Sequence, residues 1–358
     1  RSTKVYGNTN YKNFLSKNYV NIPFKKNFLQ SSSKIYVKNF IDLEKQRKSK
    51  IIEIHNRPSY LNYFTNLQKR KFVIYFHNDP LTMSGSVTIK ERLFILNFCD
   101  KIIFNSEWTR KRFLTNLEKF YQNSEKIQVI CQSTTKVKVD LMKKDKVIIF
   151  VGKLNKSKGY DIFGKAVIKI LKEFKDWKAL IVGDEPREKI DFIHKRFIKL
   201  GYRSNLDVLN LFKKSSIAVA CSRWDEPFGR SSLEASSRGC AVIISNKGGL
   251  PETITDGVIL NRLNSSNLFN EIKKLIINKK LRQTIQSKSI NNFYLDDKYI
   301  SSKIDIYRNN LFDKKAINSS KIKILHVTNF NERHNGRLFY NTGRRINNGL
   351  VRLGHTVQ

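Results

Sequence analysis

Apolar positions along this chain fall into two kinds of stretch that alternate. Short, nearly unbroken apolar runs at Ile51–Ile54, Phe72–Phe76, Lys101–Phe104 and Lys126–Ile130 predict strands. Between and after them, Ile89–Phe98 and Trp108–Tyr121 carry helical spacing. A polar stretch, Lys143-Lys144-Asp145-Lys146, is a candidate hinge. Beyond it the alternation resumes, with strands at Val147–Val151, Lys178–Val182, Ile217–Cys221 and Ala241–Ser245 and helices at Tyr160–Phe174, Lys189–Leu200 and Ser231–Ser237. In the first of these helices Phe163, Val167, Ile170, Leu171 and Phe174 make one apolar stripe, and Lys165, Lys169, Lys172 and Lys175 lie elsewhere on its surface. Residues 265–315 read as helical, polar and basic. A last strand–loop–helix–strand series opens at Lys321–Val327, passes Gly336 and Gly343 and ends on Leu353-Gly354-His355-Thr356-Val357. Strands alternating with helices predict parallel α/β sheets, and 358 residues suit two domains.

Composition adds a field to this picture. Hydrophobic residues are 40% of the chain, enough for ordinary cores. Sixty-eight Lys and Arg against 30 Asp and Glu leave a formal charge of +38. Such a field draws anions: nucleotide sugars, acidic lipid headgroups, acidic glycans or nucleic acid. Lys, Asn, Ile, Phe and Tyr all have A/T-rich codons and all are abundant, so base composition accounts for much of the charge without removing its effect. Cys99, Cys131, Cys221 and Cys240 show no C-x-x-C spacing, sit in or beside apolar segments and read as reduced core residues, not as a metal site. No apolar run approaches the length needed to span a bilayer. No signal peptide pattern is visible, but the chain begins at Arg1, which says nothing of what precedes it.

The densest chemistry lies at Glu226-Pro227-Phe228-Gly229-Arg230-Ser231-Ser232-Leu233-Glu234. A buried strand precedes it, Phe228-Gly229 makes a turn, and a helix starts near Ser231. Glu226 then stands at the strand's C-terminal end and Glu234 inside the helix. In an open parallel sheet the crevice beyond the strand ends takes ligands, and a helix N-terminus there favours a phosphate. Two carboxylates flanking an anion site suit a ligand with both phosphate and hydroxyls, such as a nucleotide sugar.

This segment resembles the E-x7-E signature of retaining glycosyltransferases of family 4, which have the two-domain GT-B fold. Val151-Gly152-Lys153-Leu154 with Lys158-Gly159 is similar to the family's G-[RK]-L…KG loop, Leu180-Ile181-Val182-Gly183-Asp184 to its strand ending in G-D, and Gly248-Gly249-Leu250-Pro251-Glu252 to its GG-x-P-E loop. All four occur in family order over residues 147–252. The resemblance implies an α/β fold of two Rossmann-like domains facing a cleft. Residues 1–142 would form the acceptor-side domain, 143–300 the nucleotide-sugar-binding domain, and 301–320 a crossover helix and linker whose helix packs back on the first domain. The family's opening strand and Gly-rich loop are not visible before Asn21. The favoured explanation is a piece of a tandem protein in which 321–358 starts a second Rossmann-like unit. The alternative is circular permutation, with that segment completing the first sheet.

The resemblance also implies site roles. Glu234 would accept hydrogen bonds from the donor's ribose, and Glu226 would contact the transferred sugar near the reaction centre. Gly152, Lys153 and Lys158 would hold the diphosphate, with Phe228 and Gly229 allowing backbone approach. Arg230 reads equally as a surface residue or a neighbour of ribose and phosphate. Tyr202 stacks on the base or is simply exposed. His77, at the end of a buried run, would contact the sugar or shape the acceptor pocket, or else hold a loop; His55-Asn56-Arg57-Pro58 ends a similar strand. No metal or other cofactor is implied, since positioned cations can stabilise the leaving diphosphate. The acceptor would be a glycan or lipid-linked sugar, as in bacterial lipopolysaccharide or surface-glycan synthesis, in the cytoplasm or on the inner membrane face. Trp108 with Arg110, Lys111 and Arg112 suits either an anionic membrane surface or an ordinary domain helix. Glu185 stands where many relatives have Gly, and Ile130-Cys131-Gln132-Ser133 lacks the family's N-G-[VI]-D hinge. A nucleic-acid-binding protein is the main competing class, but the Lys are scattered and no recognised module appears. A non-catalytic transferase-like scaffold is the third reading.

Overall fold

Strand alternation decides what the first sheet buries on each face. The structure is a computed structural model that describes residues 32–67, 70–121, 123–312, 323–327 and 356–357. The chain divides into two units, one built from Arg1–Asn105, Thr109–Ile130 and Ser301–Gln358, the other from Ser106–Trp108 and Cys131–Ile300. The first unit holds α1 (Ser32–Arg47), β1 (Ile51–His55), β2 (Lys71–Phe76), α2 (Ile89–Phe98), β3 (Lys101–Phe104), most of α3 (Glu107–Leu114), α4 (Glu118–Tyr121) and β4 (Ile127–Val129). Ile52, Ile54, Phe72, Ile74 and Phe76 turn one way and pack with Val37 and Phe40 of α1, Ile95 of α2 and Phe113 of α3. Glu53 and His55 turn the other way and are buried too. The expected helix Trp108–Tyr121 is two helices, because Asn116 takes a left-handed φ of 66° between them. Phe113 and Leu114 are buried in the domain core, and Arg112 forks onto Asp79 at 2.8–3.2 Å.

The second unit holds β5 (Asp145–Val151), α5 (Tyr160–Glu173), β6 (Lys178–Val182), β7 (Phe197–Gly201), α6 (Asn205–Lys214), β8 (Ser215–Ala220), α7 (Arg230–Ser237), β9 (Ala241–Ser245), β10 (Val258–Leu260), α8 (Ser265–Ile277) and α9 (Lys279–Asn291). Its order is β10-β9-β8-β5-β6-β7, and every pairing is parallel. Ile217 and Val219 face α5 and α8, while Ala218 faces Val208 and Phe212 of α6 and Ala235 of α7. Both faces are therefore covered, which is why β8 reads as an unbroken apolar run. The chain winds outward from β5 through β6 to β7, then returns to β8 and winds the other way. The switch point of the sheet lies between β5 and β8.

Three expectations are corrected. Residues 189–200 are not a helix: Ile190 and Phe192 lie in irregular chain against the core under α5, where Gly164 leaves room for the Phe192 ring, and β7 begins at Phe197. The hinge at Lys143–Lys146 is not a hinge. Lys144 sends its ammonium inward to the carbonyls of Phe212, Lys213, Ser215 and Arg238 at 2.8–3.2 Å, and β5 starts at Asp145. With that hinge goes the boundary placed at it: the second unit begins at Cys131, not 143, because the extended segment before β5 is tied to it, Thr134 donating to Leu295 at 3.2 Å and Lys136 to Phe293 at 3.1 Å.

The third correction concerns the C-terminal segment. β11 (Lys323–Val327) and β12 (Thr356–Val357) do not start a further unit; they extend the first sheet, whose order is β12-β11-β1-β2-β3-β4. β11 runs parallel to β1 in register from Ile51 opposite Ile324 to Ile54 opposite Val327. A strand buried on both faces, as β1 is, needs hydrogen-bonding neighbours on both edges, and β11 supplies the second. Gly336 and Gly343 lie outside the described residues. α10 (Asp297–Asn309) leads the chain from the second unit into the first. There Arg308 makes a two-pronged pair with Glu53, 2.8 and 2.7 Å, and the Tyr75 hydroxyl donates to the same carboxylate at 3.2 Å. Burial and the Glu53 charge push the Tyr75 hydroxyl well above its usual pKa.

Candidate functional site

In the second unit every strand is parallel, so the loops that follow β5, β6, β7, β8 and β9 emerge at one edge of the sheet. Gly152 and Lys153 follow β5, and Lys158 and Gly159 close that loop into α5. Gly159 takes a φ of 72° directly before the helix, and a Cβ there would overlap the Cys221 carbonyl. Only glycine lets the loop after β5 lie this close to the loop after β8. The two loops are joined further: the amides of Arg223 and Trp224 donate to the Ser157 carbonyl at 2.8 and 3.1 Å.

This joining brings Lys158 to Glu226. Its ammonium forms an ion pair with the Glu226 carboxylate, and the two side chains are 26% and 12% exposed. The same ammonium lies 5.1 Å from the centre of the Trp224 ring. The GG-x-P-E loop packs against the backbone of Glu226: Gly249 donates to the Glu226 carbonyl at 2.6 Å, and a Cβ on Gly248 would collide with that carbonyl. Phe228 is buried, and Gly229 stands before the first turn of α7. Glu234 is buried one turn later. Arg230 donates to its carboxylate at 2.8 Å and Asn205 of α6 to the same oxygen at 3.1 Å. Ser232 and Thr253 share a hydroxyl–hydroxyl hydrogen bond of 2.7 Å that pins α7 to the loop after β9.

The remaining expected residues are Lys153, Tyr202 and His77. Lys153 is exposed. Its charge adds a minor pull on Glu185, whose carboxyl is held down to about 2, chiefly by hydrogen bonds from Arg187 at 2.7 and 2.9 Å. Tyr202 follows β7, the edge strand, and is 54% exposed. His77 lies in the first unit, just beyond β2, where its ring stacks with His55 and the two share a 2.9 Å contact between Nε2 and Nδ1. Its amide donates to Asn56 at 2.7 Å. Asn205 and Trp224 were missed in the sequence. Asn205 opens a helix that no motif marks, and Trp224 is an unremarkable aromatic until the fold sets it over Lys158. Among the described residues no helix is long and apolar enough to cross a membrane.

Two parallel Rossmann-like units of this kind constitute the GT-B architecture of glycosyltransferases. Comparisons agree with that class. Residues 132–291 match the family model "Glycosyl transferases group 1". Spore coat protein SA of Bacillus subtilis (strain 168) is 31% identical over 127 residues, which is 31% of this chain and 33% of that protein. The lipopolysaccharide core biosynthesis mannosyltransferase LpcC of Rhizobium leguminosarum bv. viciae is 29% identical over 118 residues, 30% of this chain and 33% of that one. The matched stretch thus spans about a third of the length of these relatives. In structure, Anabaena Alr3699/HepE in complex with UDP-glucose superposes with a TM-score of 0.64 at 19% identity, covering 78% of this chain and 84% of that one. A glycosyltransferase from Rickettsia africae ESF-5 gives 0.65 at 21% identity, covering 86% and 89%.

Proposed function

We propose that this chain transfers a sugar from a nucleoside-diphosphate sugar to an acceptor hydroxyl, with retention of anomeric configuration and no bound metal. The observation that carries the reading is the convergence of Lys158, Glu226 and the start of α7 at the switch point of the second sheet. That is where a parallel α/β sheet takes an anionic ligand. In this reading Glu234 accepts from the ribose diol, as an acceptor-only carboxylate suits. Lys158 and Lys153, with the first amides of α7, stabilise the charge that grows on the departing diphosphate. Gly152 and Gly229 let backbone approach, Phe228 supports the turn from below, and Arg230 sets Glu234. Glu226 contacts the transferred sugar. The acceptor oxygen attacks the anomeric carbon on the face the diphosphate leaves, and its proton passes to a leaving phosphate oxygen, so no enzymic nucleophile takes part. Tyr202 flanks the base, and His77, backed by His55, belongs to the acceptor side in the first unit. The mannosyltransferase among the relatives supports a bacterial surface glycan or lipopolysaccharide as acceptor. In this reading the work is done in the cytoplasm or at the inner membrane face.

Calorimetric titration with UDP, GDP, ADP and their sugar conjugates tests the donor site. One diphosphate should bind, and Glu234→Ala should lose that binding while still folding; no binding by the folded wild-type chain would sink the reading. Once the donor is known, the NMR coupling of the product's anomeric proton reports retention, and a rate unchanged by EDTA reports metal independence.

A further inference from the structure

Trp224 is 48% exposed and lies outside both clusters described for the second unit, those under α5 and under α6. Core packing therefore does not account for its place. Its backbone is nevertheless fixed with care. Trp224 donates to the Ser157 carbonyl at 3.1 Å, Arg223 donates to it at 2.8 Å, and the Ser222 hydroxyl bridges Ser157 and Trp224 carbonyls at 3.0 Å each. On the facing loop, the Lys158 amide donates to Asn155 at 3.0 Å. These contacts set the indole face 5.1 Å from the Lys158 ammonium, whose anionic partner is Glu226. A lysine stem has four rotatable bonds, so one released from its carboxylate gains rotamer freedom in solvent, and that freedom must be given up again to hold the ammonium at a phosphate. An aromatic face beside the ammonium holds it through the ring quadrupole whatever its anionic partner is.

We propose that Trp224 is a positioning residue for Lys158. The indole face keeps the ammonium at the phosphate site while its anionic partner changes from Glu226 to the donor's diphosphate. This rests on the donor-site reading above. The ring contributes without touching the reacting atoms, so its effect should run wholly through Lys158.

The test is a double-mutant cycle on the full chain, titrated with whichever of UDP, GDP or ADP binds the wild type. Trp224→Leu should weaken binding roughly 2- to 30-fold, the range for a cation over an aromatic face. Trp224→Phe should retain most of the affinity. In a Lys158→Met background the Trp224→Leu loss should vanish. Equal losses in both backgrounds, or none in either, would overturn the proposal and leave the donor site standing. Absence of binding by the wild type would instead remove the donor site itself. A ligand-free reading separates the two: the Lys158 ε-methylene protons should show an upfield ring-current shift that disappears in Trp224→Leu, or is reduced in Trp224→Phe should the leucine variant not fold. An unshifted Lys158 would also overturn the proposal.

Discussion

At the scale of single residues, the Lys158 ammonium is already neutralised by a carboxylate of the protein, that of Glu226. In the proposed donor site a diphosphate would compete with that carboxylate for the cation. Glu226→Gln should therefore bind the free nucleoside diphosphate more tightly, by roughly two- to fivefold, as a partly exposed ion pair of modest strength allows. It should also slow sugar transfer, because the group assigned to the transferred sugar loses its charge. Calorimetry and a transfer assay on the same preparation check both; weaker diphosphate binding would contradict the competition. Glu226, Glu234, Lys158 and the glycines could be picked out in the sequence because motif spacing records backbone geometry. Gly159 and Gly248 are tied to places where a Cβ has no room. Asn205 and Trp224 could not be picked out, because side chains that reach a site across a loop or from a neighbouring helix leave no fixed spacing.

At the scale of elements, the central strands were legible because both of their faces are buried and their runs are short and unbroken; the outer strands β7 and β10, each partly exposed, were not. Helices were legible unevenly: α2 was expected without a dominant stripe, and α6 was not expected at all. One stripe dominates on α5, whereas around residues 189–200 the apolar residues pack individually and mimic a helical period. The polar string at Lys143–Lys146 misled for another reason: composition marks it as solvent-loving, yet Lys144 spans the C-terminal ends of α6 and α7 and satisfies four carbonyls. Burial lowers the pKa of that ammonium, but the carbonyls at two helix ends favour a cation. Lys144→Met should destabilise the second unit by about 3 kcal/mol, since buried acceptors lose their donor. For a unit of this size that is a fall in Tm of roughly 6–12 °C, readable by differential scanning calorimetry. A change below one degree would show that solvent replaces the ammonium.

At the scale of the whole molecule, the first unit depends on pieces that lie far apart in the chain. Arg308 and Glu53 are 1% and 0% exposed at the side chain. Arg308→Met would strand a buried carboxylate, at a cost of about 3–5 kcal/mol. In a calorimetric scan the transition of the first unit should move down and that of the second should stay; a shift of both would mean that the two melt together. The C-terminal strand was visible in the sequence, but its place in the first sheet stood there only as the less favoured of two readings. A strand motif records what it can pair with and not which sheet it joins. That place has a consequence in time. β1 and its neighbour β11 are 273 residues apart, from Ile51 to Ile324. At ribosomal speeds of about 5–20 residues per second, β1 waits roughly 14–55 seconds for its partner to be made. Residues 131–300 are made before then, so on the ribosome the second unit can finish first, and the first stays open along the edge of β1 until β11 arrives.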